Sequence, residues 1–236
     1  MCGRYIIRQQ QAAERYWETH GLPKWIERYN VPPTATVPVI RRTGAGRAAF
    51  ESVAYGKAAP NECVLLRWGL VPFWCEGVPP RYSTFNARVE RMEKAASFRG
   101  AWARGQRCIL PAAGFYEWQQ QGARKQPFLL KLVDRDFFGF AGLWDRSSGP
   151  DGVIESCTII TLPANRLVAE IHNTRQRMPA ILREEDHEIW LHGTADEARA
   201  VLHPYPEDLM LAWPVGPRVN STKNDDESLA APLLTV

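Results

Sequence analysis

The stretch from Arg107 to Thr161 reads RCILPAAGFYEWQQQGARKQPFLLKLVDRDFFGFAGLWDRSSGPDGVIESCTIIT. Five short runs rich in apolar, β-branched and aromatic residues stand in it: Arg107–Leu110, Gly114–Trp118, Phe128–Val133, Phe137–Leu143 and Glu155–Thr161. Turn-forming segments separate two pairs of them, Gln120–Arg124 and Ser147–Gly152. Such runs bounded by Gly, Ser and Asp read as β-strands. No helix-length segment lies between them, so the βαβ alternation of a parallel sheet is absent. The stretch therefore predicts an α+β fold with a mainly antiparallel, barrel-like β-sheet core and peripheral helices.

Outward from this centre, Val37–Ile40 and Phe50–Ala54 read as strands around a Gly-rich turn at Thr43–Gly46. Val64–Val71 reads as a strand broken at Pro72, and Gly77–Ser83 as a loop. Two adjacent prolines make Tyr29–Pro33 an extended loop. Helices are expected at Gln9–His20 and at Glu90–Trp102, where Met92, Ala95, Ala96 and Phe98 form a rough apolar stripe. Further helices are expected at Ala164–Ile171, Glu184–Leu191 and Thr194–Leu202, the last with Thr194 as N-cap. Met178–Leu182 reads as a strand and the chain from Arg218 as irregular. No low-complexity linker or repeat divides residues 1–236, so one domain is expected.

The chain has 236 residues, 45% of them hydrophobic, with nine Trp, nine Phe and seven Tyr. That is ample for a core. No run reaches 18 apolar residues and the N-terminus has no apolar h-region, so neither a membrane span nor a signal peptide is expected. The five cysteines (Cys2, Cys63, Cys75, Cys108, Cys157) are odd in number and widely spaced, with no Cys-x-x-Cys. His187 and His192 are too far apart to share a helical face. These features predict a reduced, cytoplasmic, monomeric protein without disulfide framework, metal site or cofactor. The net charge of +3 is unevenly spread. From Arg81 to Arg107, seven basic residues stand against Glu90 and Glu93, a balance of +5. Trp102 lies within this stretch, and Trp68 and Trp74 shortly before it. Aromatics beside Arg suit a groove for single-stranded nucleic acid.

Four residues carry the chemistry. Removal of Met1, which a residue as small as cysteine permits, would leave Cys2 with an α-amine and a thiol on adjacent carbons. The amine titrates at roughly 7.7–8.0 and a thiol near roughly 8.5, so both are partly available at neutral pH. The pair can condense with an aldehyde and close a five-membered ring, which is favoured because the closure is intramolecular. Glu117 is a carboxylate among three aromatics, and burying a charge is costly unless it is used or paired. His172 follows Ile171 at the end of a short helix and is the best acid–base candidate among the histidines. Asn86 precedes a helix, either as its N-cap or as a group that orients a carbonyl or hydroxyl, with Arg88 on a phosphate.

Seven segments stand in an order that resembles one family: Met1-Cys2-Gly3-Arg4, Tyr29-Asn30-Val31-Pro32-Pro33, Arg67-Trp68-Gly69-Leu70-Val71-Pro72-Phe73-Trp74, Asn86-Ala87-Arg88-Val89-Glu90, Gly114-Phe115-Tyr116-Glu117-Trp118, Ile171-His172 and Arg177-Met178-Pro179. The family is SRAP, the SOS-response-associated proteins that shield abasic sites in single-stranded DNA. The resemblance runs on to Val219-Asn220-Ser221 and Asn224-Asp225-Asp226. It implies a Cys2 nucleophile, with Asn86 on the abasic sugar and Glu117 and His172 in the active site. It also implies a DNA groove using Arg4, Pro32, Trp74, Arg88 and Thr161, with Arg177 on a phosphate. The implied product is a thiazolidine between Cys2 and the open-chain sugar. Abasic-site lyase activity follows if ring closure fails, and self-processing peptidase activity if Cys2 releases Met1. Two other classes stay open on the residues alone: an N-terminal-cysteine amidase or peptidase, and a non-covalent single-strand DNA binder. Two departures from the family pattern stand out. Cys75 replaces an aromatic beside Trp74, and the stretch from His172 to Met178 is longer than the common form.

Overall fold

The computed structural model describes residues 2–8, 25–44, 61–133 and 135–233. The strands are β1 (Arg4–Ile7), β2 (Arg28–Val31), β3 (Thr36–Arg42), β4 (Asn61–Trp68), β5 (Asn86–Arg88), β6 (Arg107–Ala112), β7 (Gly114–Gln121), β8 (Arg124–Leu132), β9 (Phe138–Gly149), β10 (Gly152–Pro163), β11 (Arg177–Pro179), β12 (Ile181–Leu182) and β13 (Met210–Pro214). Helices α1 (Arg99–Ala103), α2 (Arg166–Ile171), α3 (His187–His192) and α4 (Ala195–Ala200) lie around them. One sheet runs β13-β8-β7-β1-β2. In the other, β10, β4, β3, β6 and β9 are neighbours in turn and β9 pairs back onto β10, so five strands close into a barrel. The expected mainly antiparallel, barrel-like core is therefore present, and the parallel pairings are those of β10 with β4 and β5.

The two sheets meet through aromatic side chains. The Tyr5 ring packs edge-on against Trp68 at 5.1 Å and Phe140 at 5.8 Å. Phe115 meets Phe140 at 5.9 Å in the same manner. Edge-to-face contacts of this kind add to the stabilisation from burial alone. Because β9 is covered on both faces, its residues Phe138–Asp145 are buried without alternation.

Several expected elements change. Glu90–Trp102 is not one helix. Its bonds alternate between single turns (Arg91 N–H to Arg88 O, Lys94 N–H to Arg91 O, Phe98 N–H to Ala95 O), and a helix forms only at α1. Burial of Met92 and Phe98, and a 3.1 Å contact between the Ser97 and Tyr82 hydroxyls, hold this coil against the core. Tyr29–Pro33 is not a loop throughout, because Arg28–Val31 pairs with β1. Strand β4 ends at Trp68 rather than Val71, since Gly69 takes φ 131°. Thr194 caps α4 as expected, in a capping box with Glu197. Gln9–His20 and Phe50–Ala54 lie outside the described residues.

The β2 edge is covered by the C-terminal segment. The buried Asn30 amide donates to the carbonyls of Val219, Ser221 and Asn224 at 2.9–3.2 Å. Asp225 accepts from the Tyr29 and Asn30 backbone amides and from Arg28. The 219–226 motif is thus a clasp on β2. Replacing Asn30 with Ala strips buried acceptors of their donor, so Asn30→Ala is expected to lower stability by about 2–4 kcal/mol in urea unfolding. A loss below about 0.5 kcal/mol would show that the clasp does not hold the sheet edge.

Candidate active site

Four residues remote in sequence converge where the two sheets meet. The register of β1 on β7 sets Arg4 opposite Tyr116, which brings the start of the chain alongside Glu117. Cys2 is fully buried, and its thiol points at the Arg4 carbonyl at 3.7 Å. Burial, and then the negative charge of Glu117, push the Cys2 thiol far above the ordinary cysteine range. Asn86 stands on β5, in a strand and not at a helix N-cap. Its side-chain N–H donates to the Cys2 carbonyl at 2.9 Å. Its Oδ1 is buried and has no hydrogen-bond partner. A buried amide oxygen left in that state, among the described residues, is costly and free to accept a hydrogen bond.

His172 sits at the C-terminal end of α2, whose N-cap Asn165 accepts from the Val168 amide. Its Nδ1 lies 2.8 Å from the Arg177 carbonyl and 3.3 Å from the Arg177 amide. Protonated, Nδ1 donates to that carbonyl; unprotonated, it accepts from that amide. The same Nδ1 is 3.9 Å from Glu117 Oε1. Both side chains are almost wholly buried. They line a cleft of about 550 Å³ together with Phe85, Trp118, Gln120, Lys125, Thr174 and Arg175. Cys2 and Asn86 lie buried beside this lining. The arrangement sets a carboxylate and an imidazole 3.9 Å apart in the cleft, with a buried thiol that feels the carboxylate's charge and an amide held on that cysteine's carbonyl. That set fits addition to a carbonyl carbon with proton transfer on both sides of the step.

The model of the SOS response associated peptidase family, SRAP, matches residues 1–222. The chain belongs to the SRAP family. It is 34% identical to abasic site processing protein YoqW of Bacillus subtilis, over 97% of this chain and 98% of that protein. It is 30% identical to abasic site processing protein HMCES of Gallus gallus, over 97% of this chain and 72% of that one. Among solved structures, a protein from Bordetella bronchiseptica superposes with a TM-score of 0.76 at 28% identity, covering 91% of this chain and 100% of that one. A protein from Bacteroides thetaiotaomicron gives 0.73 at 28% identity, covering 96% and 92%.

In this SRAP chain the residues expected along a DNA groove fall into two groups. Trp74 is exposed, on the turn Phe73–Cys75. Phe73 beside it, which sequence reasoning passed over, is equally open, with Arg104 over its ring at 4.6 Å. Arg88 is exposed and Pro32 half-buried. Arg4 is half-buried, donates to the Gly3 carbonyl, and leaves its Nε buried and without a partner among the described residues. The second group points inward. Trp68 and Trp102 belong to the core, so Trp74 is the only one of the three tryptophans on the surface. Thr161 is fully buried, its hydroxyl 3.4 Å from the Ala87 carbonyl. The Arg177 guanidinium is held by both carboxylate oxygens of Glu90 and by the Thr161 carbonyl at 2.5 Å. Glu90 therefore balances its charge. Arg107 is buried too, donating to the Trp190 and Gly193 carbonyls, which lowers the surface charge of the basic stretch.

Exposure of Phe73 and Trp74 is enforced from below. The Phe73 amide donates to Asp145 at 3.0 Å, the Gly77 amide to Ser147 at 2.9 Å and the Val71 amide to Ser156 at 2.7 Å. Asp145, Ser147 and Ser156 are all buried. A Cβ on Gly149 would stand 1.9 Å from the Glu76 carbonyl, so that position admits only glycine.

The raised thiol has a direct readout. Alkylation of Cys2 in the folded protein, mapped by peptide mass, is expected to keep accelerating with pH beyond about 8.5, where ordinary thiols level off. A plateau near about 8.5 would show that burial and Glu117 do not hold the proton on sulfur.

Proposed function

We propose that this protein captures abasic sites in single-stranded DNA by a covalent bond from Cys2, once Met1 has been removed. The observation that carries the reading is the meeting of Glu117 and His172 at 3.9 Å beside a buried Cys2 whose carbonyl is fixed by Asn86. Relatives that bear the name abasic site processing protein support it.

The order of steps follows from the electrostatics. The thiol is held neutral, so the amine attacks first. A nitrogen–carbon bond forms with the aldehyde carbon of the opened sugar, and the hydroxyl so formed takes a proton that His172 would supply and leaves as water, giving a protonated imine. His172 would give a proton to the ring oxygen as the sugar opens and take back the one that the anomeric hydroxyl releases, and Asn86 Oδ1 would accept from a sugar hydroxyl. The positive iminium next to the thiol reverses its electrostatic setting, because an opposite charge at close range favours the thiolate. Glu117 takes the thiol proton. A sulfur–carbon bond then forms at the former aldehyde carbon, the electron pair of the C=N bond goes to nitrogen, and the iminium becomes a ring amine. The thiazolidine removes the imine before β-elimination can cut the strand. If closure is prevented, the same imine makes the protein an abasic-site lyase.

Denaturing gels of abasic oligonucleotides test the scheme. Cys2→Ala is expected to abolish the heat-stable adduct. Cys2→Ser should lose the stable adduct and keep strand cleavage, since its amine survives. Glu117→Gln and His172→Ala are expected to slow single-turnover crosslinking by roughly 10²–10⁴-fold with little change in melting temperature. Undiminished adduct with Cys2→Ala would sink the mechanism.

A further inference from the structure

The cleft beside Glu117 has two walls that none of the family-implied residues supply. One is the hairpin β7–β8, where Gln120 is the cross-strand partner of Lys125. The other is the segment between α2 and β11, longer here than in the common form. Its seat is specific. Asn173 accepts from the Gln120 amide at 3.0 Å and donates to the Gln120 carbonyl at 2.9 Å. The Asn173 side chain thus imitates a neighbouring strand on the edge of β7 that β1 no longer covers, since β1 pairs only as far as Tyr116. Gln119 adds a bond to the Glu170 carbonyl at 3.0 Å. The turn is completed by Gln176 at φ 50°, whose amide donates to the His172 carbonyl at 2.8 Å. Docked in this way, the segment presents Thr174 and Arg175 to the same cleft that Lys125 lines.

The charges there are open. Arg175 and Lys125 are both exposed, and among the described residues neither side chain is in a salt bridge or hydrogen bond. Arg177, two residues on, is consumed by Glu90 and Thr161. Two unneutralised cations at the mouth of a cleft with a carboxylate and a histidine at its base suit an elongated anion whose electrophilic part reaches inward. Phosphodiester backbone has that shape and charge.

We infer that Arg175 and Lys125 form a phosphate-binding lip that grips the strand flanking the lesion. The inference rests on the proposed abasic-site reading and adds the residues that hold the backbone outside the reacting sugar. These are binding residues only. They touch no reacting atom, so the chemical step at saturating DNA should not depend on them.

The test is equilibrium binding of undamaged single-stranded oligonucleotide across a salt series, beside single-turnover crosslinking to the abasic oligonucleotide. The proteins are the native chain, Arg175→Gln, Lys125→Gln, the double variant and Arg175→Lys. Each lost cation should flatten the slope of log K against log salt by about 0.7, and the double variant by about 1.4. Arg175→Lys should restore the native slope. The crosslinking rate at saturating DNA should stay native in the double variant while its half-saturating concentration rises. An unaltered slope in the double variant would overturn the inference, as would failure of the native protein to bind the oligonucleotide. Native binding with these slopes but no adduct would uphold the lip and refute the Cys2 chemistry instead.

Discussion

Strand β10 is the constraint on which the site depends, because it changes partners on both edges as it leaves the barrel. On one edge β9 pairs with it from Gly152 to Ile159, and β11 takes over from Thr161 to Pro163. On the other, β4 pairs at Ser156 and Cys157, and β5 at Ile159 to Thr161. Backbone groups inside a protein must be paired, so an edge vacated by one strand needs another. Here the replacements are the two short strands that bring in the chemistry. Strand β5 carries Asn86 to the Cys2 carbonyl, and β11 follows the turn that holds His172. The barrel is therefore both the core and the jig that sets the spacing of the site.

Buried polar residues serve the same end. Asp145, Ser147 and Ser156 spend their hydrogen bonds on the amides of the 71–77 segment, which keeps Phe73 and Trp74 outside although both rings are apolar. Asp145 also accepts from Arg104 at 2.8 Å, and that guanidinium lies over Phe73. A hydrogen bond to a charged acceptor in a region of low dielectric is strong and directional. The exposed aromatic pair is thus anchored, and a base that stacked on it would meet a surface already fixed.

Much of this was legible in the residues. The strands from Arg107 to Thr161 announce themselves because alternation and apolar runs are local properties. Their ends were drawn short, since hairpins continue pairing through polar residues such as Gln119–Gln121 and Arg146–Gly149, whose strand character comes from a partner. The Glu90–Trp102 stripe misled because burial of Met92 and Phe98 is met by successive turns as well as by a helix. Tyr29–Pro33 looked like loop because of its prolines, and the pairing of Arg28–Val31 is secured by Asp225 and the 219–224 carbonyls far along the chain. Glu117 and His172 stood out as polar groups in apolar settings. What no local pattern shows is which distant partner meets a charge. Arg177 has Glu90 as its partner from 87 residues away, and Trp102 packs in the core 6.3 Å from Trp190.

The central claim is that Cys2 forms both bonds to one aldehyde carbon. The most direct measurement is the intact mass of the native protein after reaction with an abasic oligonucleotide, with and without borohydride. The account predicts a chain lacking Met1 joined to the oligonucleotide with loss of one water, and a mass that borohydride leaves unchanged. A gain of two hydrogens on reduction, or an adduct on chains that retain Met1, would contradict it.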